Sequence, residues 1–282
     1  MKTYLLFLAL LVTVYTYGQQ KPDIGIAENL ENDSIMHASG YHCMVESISK
    51  WFSPLKVTDD QFKANLAIFS KLKTPFCAGY IFFPGELKLV GPDVNEQAIL
   101  SYVRVVFQRC GQAGISLISW GSGGARRVPE GFDKKKATEQ FIAIAKKVAA
   151  IASEYHIILA VENLNSTETN FINTLAEAID VVRRVDHPNL RLCIDVYHML
   201  KENEPASVIL QAKGIAVHCD IAEKENRTPP GVAGQDFREY LQALKKIDYK
   251  GRIIIEARWN DLGAQALPAR EYLKKQIDEV YR

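Results

Sequence analysis

Glu162, Asp195, His218 and Glu256 each close a short apolar run, and each is a residue type that binds metal ions or moves protons. The runs are 157–162 (IILAVE), 190–195 (LRLCID), 214–218 (GIAVH) and 252–256 (RIIIE), and their closing residues are spaced by 33, 23 and 38 positions. A carboxylate at the end of a buried run is costly unless it is paired or coordinated. Pairing with a neighbouring Arg would explain any one of them; four in succession favour a shared site. Three carboxylates and one imidazole suit a divalent cation of the Mn²⁺, Mg²⁺ or Co²⁺ kind, with Zn²⁺ also accommodated. The set contains no thiolate, so it is not a structural zinc site, and it leaves coordination positions for water or substrate.

Four ligand-type residues can share one point only if the elements carrying them end on the same side. Strand-like runs fall near 23–27, 41–46, 76–82, 115–120, 157–162, 190–195, 214–219 and 252–256. Helical patterns fall near 29–38, 59–72, 94–112, 134–155, 171–185, 204–212, 236–246 and 265–281, with Asp133, Asn170 and Asp236 as helix-start candidates. Crossover helices return the chain to the same end, so the strands are parallel, and eight of them close into a (β/α)8 TIM barrel whose strand C-termini open on one face. An open doubly wound sheet is the alternative, but no GxGxxG follows the first strand, and 121–124 (GSGG) lacks that spacing.

Residues 1–18 stand apart. Lys2 is followed by the apolar run 4–14 and the small residues Thr16 and Gly18, the pattern of a cleaved secretory signal rather than a spanning anchor. The expected organisation is therefore a signal peptide over 1–18 and a single barrel domain over 19–282, in an exported, periplasmic protein. Cleavage removes Lys2 and no acid, leaving 33 residues of each sign. That neutral balance argues against nucleic-acid binding and against electrostatic adhesion to membranes. Homo-oligomerisation is left open. Cys43, Cys77, Cys110, Cys193 and Cys219 form no CxxC pair, and no disulfide is specified by their spacing.

Further residues fall near the same mouth. His198 lies three positions beyond Asp195, either in the site or as a loop histidine capping backbone groups. Arg227, in a Pro/Gly-rich loop, either clamps a substrate hydroxyl or anion or is solvated. Glu168 either bonds sugar hydroxyls or caps the helix that follows. Glu46 ends the second strand and points to the same face as Glu162, where it would support the ligands from behind. The loop 123–131 (GGARRVPEG) either contacts an acidic substrate or, as its composition favours, is a solvated charged segment. Phe82, Phe83 and Trp120 are either a pocket wall or core.

These motifs, 161–163 (VEN), 193–199 (CIDVYHM), 217–218 (VH) with 227–231 (RTPPG), and 255–256 (IE), resemble the xylose-isomerase-like TIM-barrel superfamily, and within it the ketose 3-epimerases. The resemblance runs from about Ile24 onward, and 83–92 (FPGELKLVGP) also resembles sugar phosphate isomerase–epimerase relatives. It implies that Glu162, Asp195, His218 and Glu256 hold a Mn²⁺-class ion, that Glu162 and Glu256 are also the acid–base pair, and that Glu168, His198 and Arg227 contact sugar oxygens. Two departures stand out: eight residues separate His218 from Arg227, more than in those epimerases, and the epimerases are cytoplasmic. The expected activity is metal-dependent isomerisation or epimerisation of a keto sugar. An exported 3-keto-glycoside lyase or dehydratase, and a carbohydrate-binding barrel without turnover, are the alternatives. A phosphodiesterase of the AP endonuclease type would need a histidine-rich multi-zinc cluster, for which only His198 and His218 are available.

Overall fold

A computed structural model describes residues 20–282; the signal-peptide expectation for 1–18 lies outside the described residues. Eight strands pair in sequence order and close, β8 on β1, into an all-parallel barrel. They are β1 (Ile24–Ala27), β2 (Met44–Ser47), β3 (Phe76–Tyr80), β4 (Leu117–Trp120), β5 (Ile158–Glu162), β6 (Leu190–Asp195), β7 (Ala216–Ile221) and β8 (Ile253–Ile255). No helix among the described residues is long and apolar enough to cross a membrane.

The period-two alternation of a strand splits the apolar residues between two cores. Leu159, Val161, Leu192, Ile194, Cys219, Ile221, Ile253 and Ile255 face outward and pack under the helices. Ala27, Cys43, Val45, Ala78 and Ile254 face inward and fill the barrel. Continuing the inward parity by one step brings Glu162, Asp195, Asp220 and Glu256 to the upper rim. The strands are thus apolar on both faces and become polar only at their C-terminal ends, as expected for parallel strands covered on both sides.

Several boundaries differ from the sequence expectation. The expected strand over 214–219 forms two positions later, over Ala216–Ile221, because Gly214 takes a left-handed φ of 81° and turns the chain before it can pair. The expected helix over 204–212 is a 3-10 segment, Ala206–Ala212, and an unanticipated short helix, Val196–Lys201, starts immediately after β6. Asp133 caps its helix by accepting from Lys136 N. Asn170 does not: its amide pairs with both backbone groups of Val128, and Thr174 with Glu177 forms the capping box that starts Leu175–Val185. Asp236 accepts from Arg238 N, but the helix over Arg238–Lys246 starts after Phe237 with no side-chain cap.

Cys43 and Cys77 form a disulfide across a separation of 34 residues at the floor of the barrel; Cys110, Cys193 and Cys219 are buried and free. A cross-link over a loop of this length removes unfolded-state entropy worth about 4 kcal/mol. Reduction, or the double substitution Cys43→Ser/Cys77→Ser, should therefore lower the denaturation midpoint by that free energy in urea titrations. A loss below about 0.5 kcal/mol would show that the bond does not form in solution.

Candidate active site

The upper rim gathers acidic groups. One carboxylate oxygen from each of Glu162, Asp195, Asp220 and Glu256 lies within 4.8 Å of all the others; the first three side chains are buried and Glu256 is partly so. The structure therefore brings together three of the four ligand-type residues expected from sequence. His218 is placed elsewhere. It sits one inward position below Asp220 on β7, grouped with Cys193 and Asp220, its Nε2 3.0 Å from Asp220 Oδ1. It lines a cavity at the barrel floor together with Lys250 and Arg252, not the mouth. The physical reason is the later start of β7: extending the strand by two residues past Cys219 moves the rim position from His218 to Asp220.

Local geometry fixes each group. Asp195 ends β6 and caps the Val196–Lys201 helix, its Oδ1 accepting from His198 N at 2.8 Å. That leaves Oδ2 buried with no hydrogen-bond partner. Asn163, fully buried, holds the ends of β5 and β6 together: its Nδ2 donates to Asp195 O at 3.1 Å and its Oδ1 accepts from Asp195 N at 3.0 Å. Ser119 Oγ donates to Glu162 Oε2 at 3.2 Å. A Cβ on Gly121 would run into the same Glu162 oxygen, so the glycine after β4 is what admits the carboxylate. Neither Ser119 nor Gly121 carries a sequence signal for this role, because their meaning depends on the neighbouring strand.

His198 is in the site, fully buried. Its Nδ1 accepts from Asn165 N at 3.1 Å, which places the ring proton on Nε2. Nε2 has no hydrogen-bond partner and faces Asp195 Oδ2 at 3.5 Å and Glu162 Oε1 at 3.8 Å. Burial, helped by Arg227, pushes its pKa down to about 3. It is a neutral donor aimed at the carboxylates. Arg227 also reaches the mouth. It donates to Glu256 Oε1 at 2.5 Å, to Glu256 O at 3.1 Å and to Glu168 Oε1 at 3.2 Å, and stacks 4.7 Å over the Tyr197 ring. Glu168 thus pairs with Arg227 at the mouth, and the following helix is capped by Thr174 instead.

Two expectations change here. Glu46 is buried, but Ser47 N, Lys50 Nζ and Trp51 Nε1 take its oxygens, so it does not join the carboxylate group. Arg126, expected in a solvated loop, is fully buried, donating to Trp120 O and Ile172 O at 3.2 Å each. Phe83 lines the mouth, while Trp120 and Phe82 pack edge to face in the outer core.

The electrostatics are those of an acid cluster short of positive charge. Burial pushes Asp195 up to about 7 despite Arg227, and Glu256 up to about 8. Burial and the other three carboxylates push Glu162 well above the usual range. Asp220 is the exception: burial raises it, but His218, Cys193 and Arg227 outweigh that and hold it low. A buried, unpartnered carboxylate oxygen among converging carboxylates fits a divalent cation, which would stabilise all four as anions. Above them opens a cavity of about 400 Å³, lined among others by Lys56, Tyr80, Phe83, Glu168, Arg227 and Glu256.

A mixed-charge, carboxylate-lined mouth at the strand C-termini of a closed eight-stranded barrel defines the class. The chain belongs to the xylose isomerase-like TIM barrel family, whose model matches residues 34–278. It is similar to a D-psicose 3-epimerase of Ruminiclostridium cellulolyticum, 32% identical over 125 residues, which is 44% of this chain and 42% of that protein. The chain thus spans about two fifths of the length of that relative. Among solved structures it resembles an L-ribulose 3-epimerase, with a TM-score of 0.75 at 18% identity over 92% of this chain and 95% of the other. It also resembles a 3-keto-D-glucoside 4-epimerase from E. coli, with a TM-score of 0.71 at 19% identity over 91% and 99%.

Proposed function

We propose that the protein is an exported, metal-dependent sugar epimerase or isomerase acting on a keto sugar. The observation that carries this reading is the convergence of Glu162, Asp195, Asp220 and Glu256 beneath a cavity that also receives a neutral His198 donor and Arg227. The similarity to ketose 3-epimerases supports it.

A divalent cation of the Mn²⁺ class, held by the carboxylates, would supply Lewis-acid stabilisation of the charge developing on a substrate carbonyl oxygen. The remaining work falls to side chains. Glu162 and Glu256 are the acid–base pair: one removes the proton from the carbon next to the carbonyl and the other returns a proton. Return to the opposite face of the same carbon is epimerisation; return to the neighbouring carbon is isomerisation. His198 donates from Nε2 to a sugar oxygen, and Arg227 and Glu168 orient hydroxyl groups at the rim. Elimination from a 3-keto glycoside would use the same residues. The fold shared with a 3-keto-D-glucoside epimerase makes such glycosides worth testing beside free keto sugars.

The test is a panel of free and 3-keto sugars incubated with the protein and Mn²⁺ in D₂O, read by NMR. Inverted or isomerised product carrying solvent deuterium at the reacting carbon is the expected result. Loss of the aglycone identifies the lyase, and tight binding without product or exchange identifies a carbohydrate-binding barrel.

Export is supported by the Lys2, apolar, small-residue pattern of 1–18 and by the Cys43–Cys77 disulfide, which belongs in an oxidising compartment. Mass spectrometry of the protein from its native host should find an N-terminus near Gln19. An intact Met1 on cytoplasmic protein would refute export and leave the enzyme reading in place.

A further inference from the structure

We infer that the cation in this site is held by oxygen alone, with Asp220 as the fourth protein donor and His218 as a positioning residue beneath it. The inference rests on the proposal that a divalent cation occupies the mouth, and it concerns which side chains of this chain hold it.

Three observations carry it. The first is depth. His218 and Asp220 face the same side of β7 two residues apart, roughly 6.6 Å along a strand. It is Asp220 whose carboxylate lies within 4.8 Å of Glu162, Asp195 and Glu256; His218 is grouped only with Cys193 and Asp220. The second is Asp195 Oδ2, a buried carboxylate oxygen within the same cluster that accepts no hydrogen bond, with His198 Nε2 at 3.5 Å and Arg227 Nη2 at 4.0 Å beside it, so it is free to serve as a donor to a cation. The third removes the other imidazole. Asn165 N donates to His198 Nδ1, so His198 Nε2 carries the proton and has no lone pair for a metal.

The lower pair then has a defined task. Asp220 Oδ1 lies 3.0 Å from His218 Nε2, and its Oδ2 accepts from Cys193 Sγ at 3.1 Å. The Cys193 hydrogen bond and the His218 ring lying against the other oxygen support the carboxylate from below, the position from which outer partners orient metal ligands. The loop length becomes intelligible as well: counted from Asp220, six residues precede Arg227 instead of eight. An all-carboxylate set suits hard cations such as Mg²⁺ and Mn²⁺ and offers no nitrogen or sulfur to softer ones.

The test uses Mn²⁺ alone as the probe. Pulsed EPR of the Mn²⁺-loaded wild-type protein should show no directly bound ¹⁴N. Titration by EPR or calorimetry should show Mn²⁺ affinity reduced at least tenfold by Asp220→Asn. In His218→Asn the bound-Mn²⁺ spectrum should keep its oxygen-only character whatever affinity is lost. Melting curves by circular dichroism establish that each variant is folded, and the wild-type spectrum decides the donor type without any variant. Directly bound ¹⁴N in the wild type overturns the inference, and its disappearance in His218→Asn would return His218 to the metal. Undiminished affinity in Asp220→Asn overturns it equally. Failure of the wild type to bind Mn²⁺ or Mg²⁺ at all would instead refute the metal-dependent function.

Discussion

Glu256→Gln and Glu162→Gln are each expected to reduce proton exchange at the reacting carbon by about 10³-fold at saturating Mn²⁺ while leaving the barrel folded. Glutamine fills nearly the same volume, so packing is kept. An amide cannot take up the substrate proton at neutral pH. Because both residues also belong to the carboxylate cluster, each substitution should weaken Mn²⁺ binding, and the measurement must be made on metal-saturated protein. His198→Ala serves as the contrast. It removes an Nε2 donor but no carboxylate, so it should raise KM more than it lowers exchange at saturating substrate. Solvent-isotope exchange into the substrate, followed by NMR for all three variants, separates the roles. Near-normal exchange in metal-loaded Glu256→Gln would keep its place in the cluster and rule out a two-glutamate mechanism.

The second large effect is expected at Glu223, a residue with no role legible in the sequence. It is fully buried just past β7. Its Oε1 accepts from Gly231 N at 2.8 Å, Gly234 N at 2.9 Å and Gln235 N at 3.1 Å; its Oε2 accepts from Thr228 Oγ1 at 2.8 Å and from Ala233 N at 2.5 Å. The loop carrying Arg227 is therefore folded around one carboxylate. Asn226 and Arg227 both take a left-handed φ of 54°, a conformation that costs energy for side-chain-bearing residues and needs a surrounding frame. Glu223→Ala leaves four backbone N–H groups without their acceptor. Allowing for partial rescue by water, the expected loss is about 4 kcal/mol of stability. Glu223→Gln keeps one oxygen and should cost less. In variants that remain folded, the Arg227 contacts to Glu256 and Glu168 should loosen, so KM should rise and amides 226–235 should exchange faster with deuterium. A urea midpoint for Glu223→Ala within 1 kcal/mol of wild type would sink the account.

Eight strand-and-helix units were legible because parallel strands buried on both faces read as apolar runs, and crossover helices read as amphipathic ones. The positions of Glu162, Asp195 and Glu256 at strand ends were legible for the same reason: each is the first polar residue after an apolar run. The three-residue offset of His198 from Asp195 left it open between site and loop, and the short helix after β6, absent from the sequence reading, turned that offset into a shared face. The tertiary structure decided what depends on depth and on partners from other strands. The 214–221 segment carries His218 and Asp220 at the same parity, so alternation alone could not rank them; pairing with β6 and β8, and the turn at Gly214, set β7 two residues later and brought Asp220 to the rim. Glu46 and Arg126 changed roles because their partners, Trp51 Nε1 for one and the carbonyls of Trp120 and Ile172 for the other, are supplied only by the folded chain. The sequence by itself determined which residue types face into the barrel, since side-chain alternation is a property of the strand. Which of those residues meet at one point was decided by strand register, a relation between segments far apart in the chain.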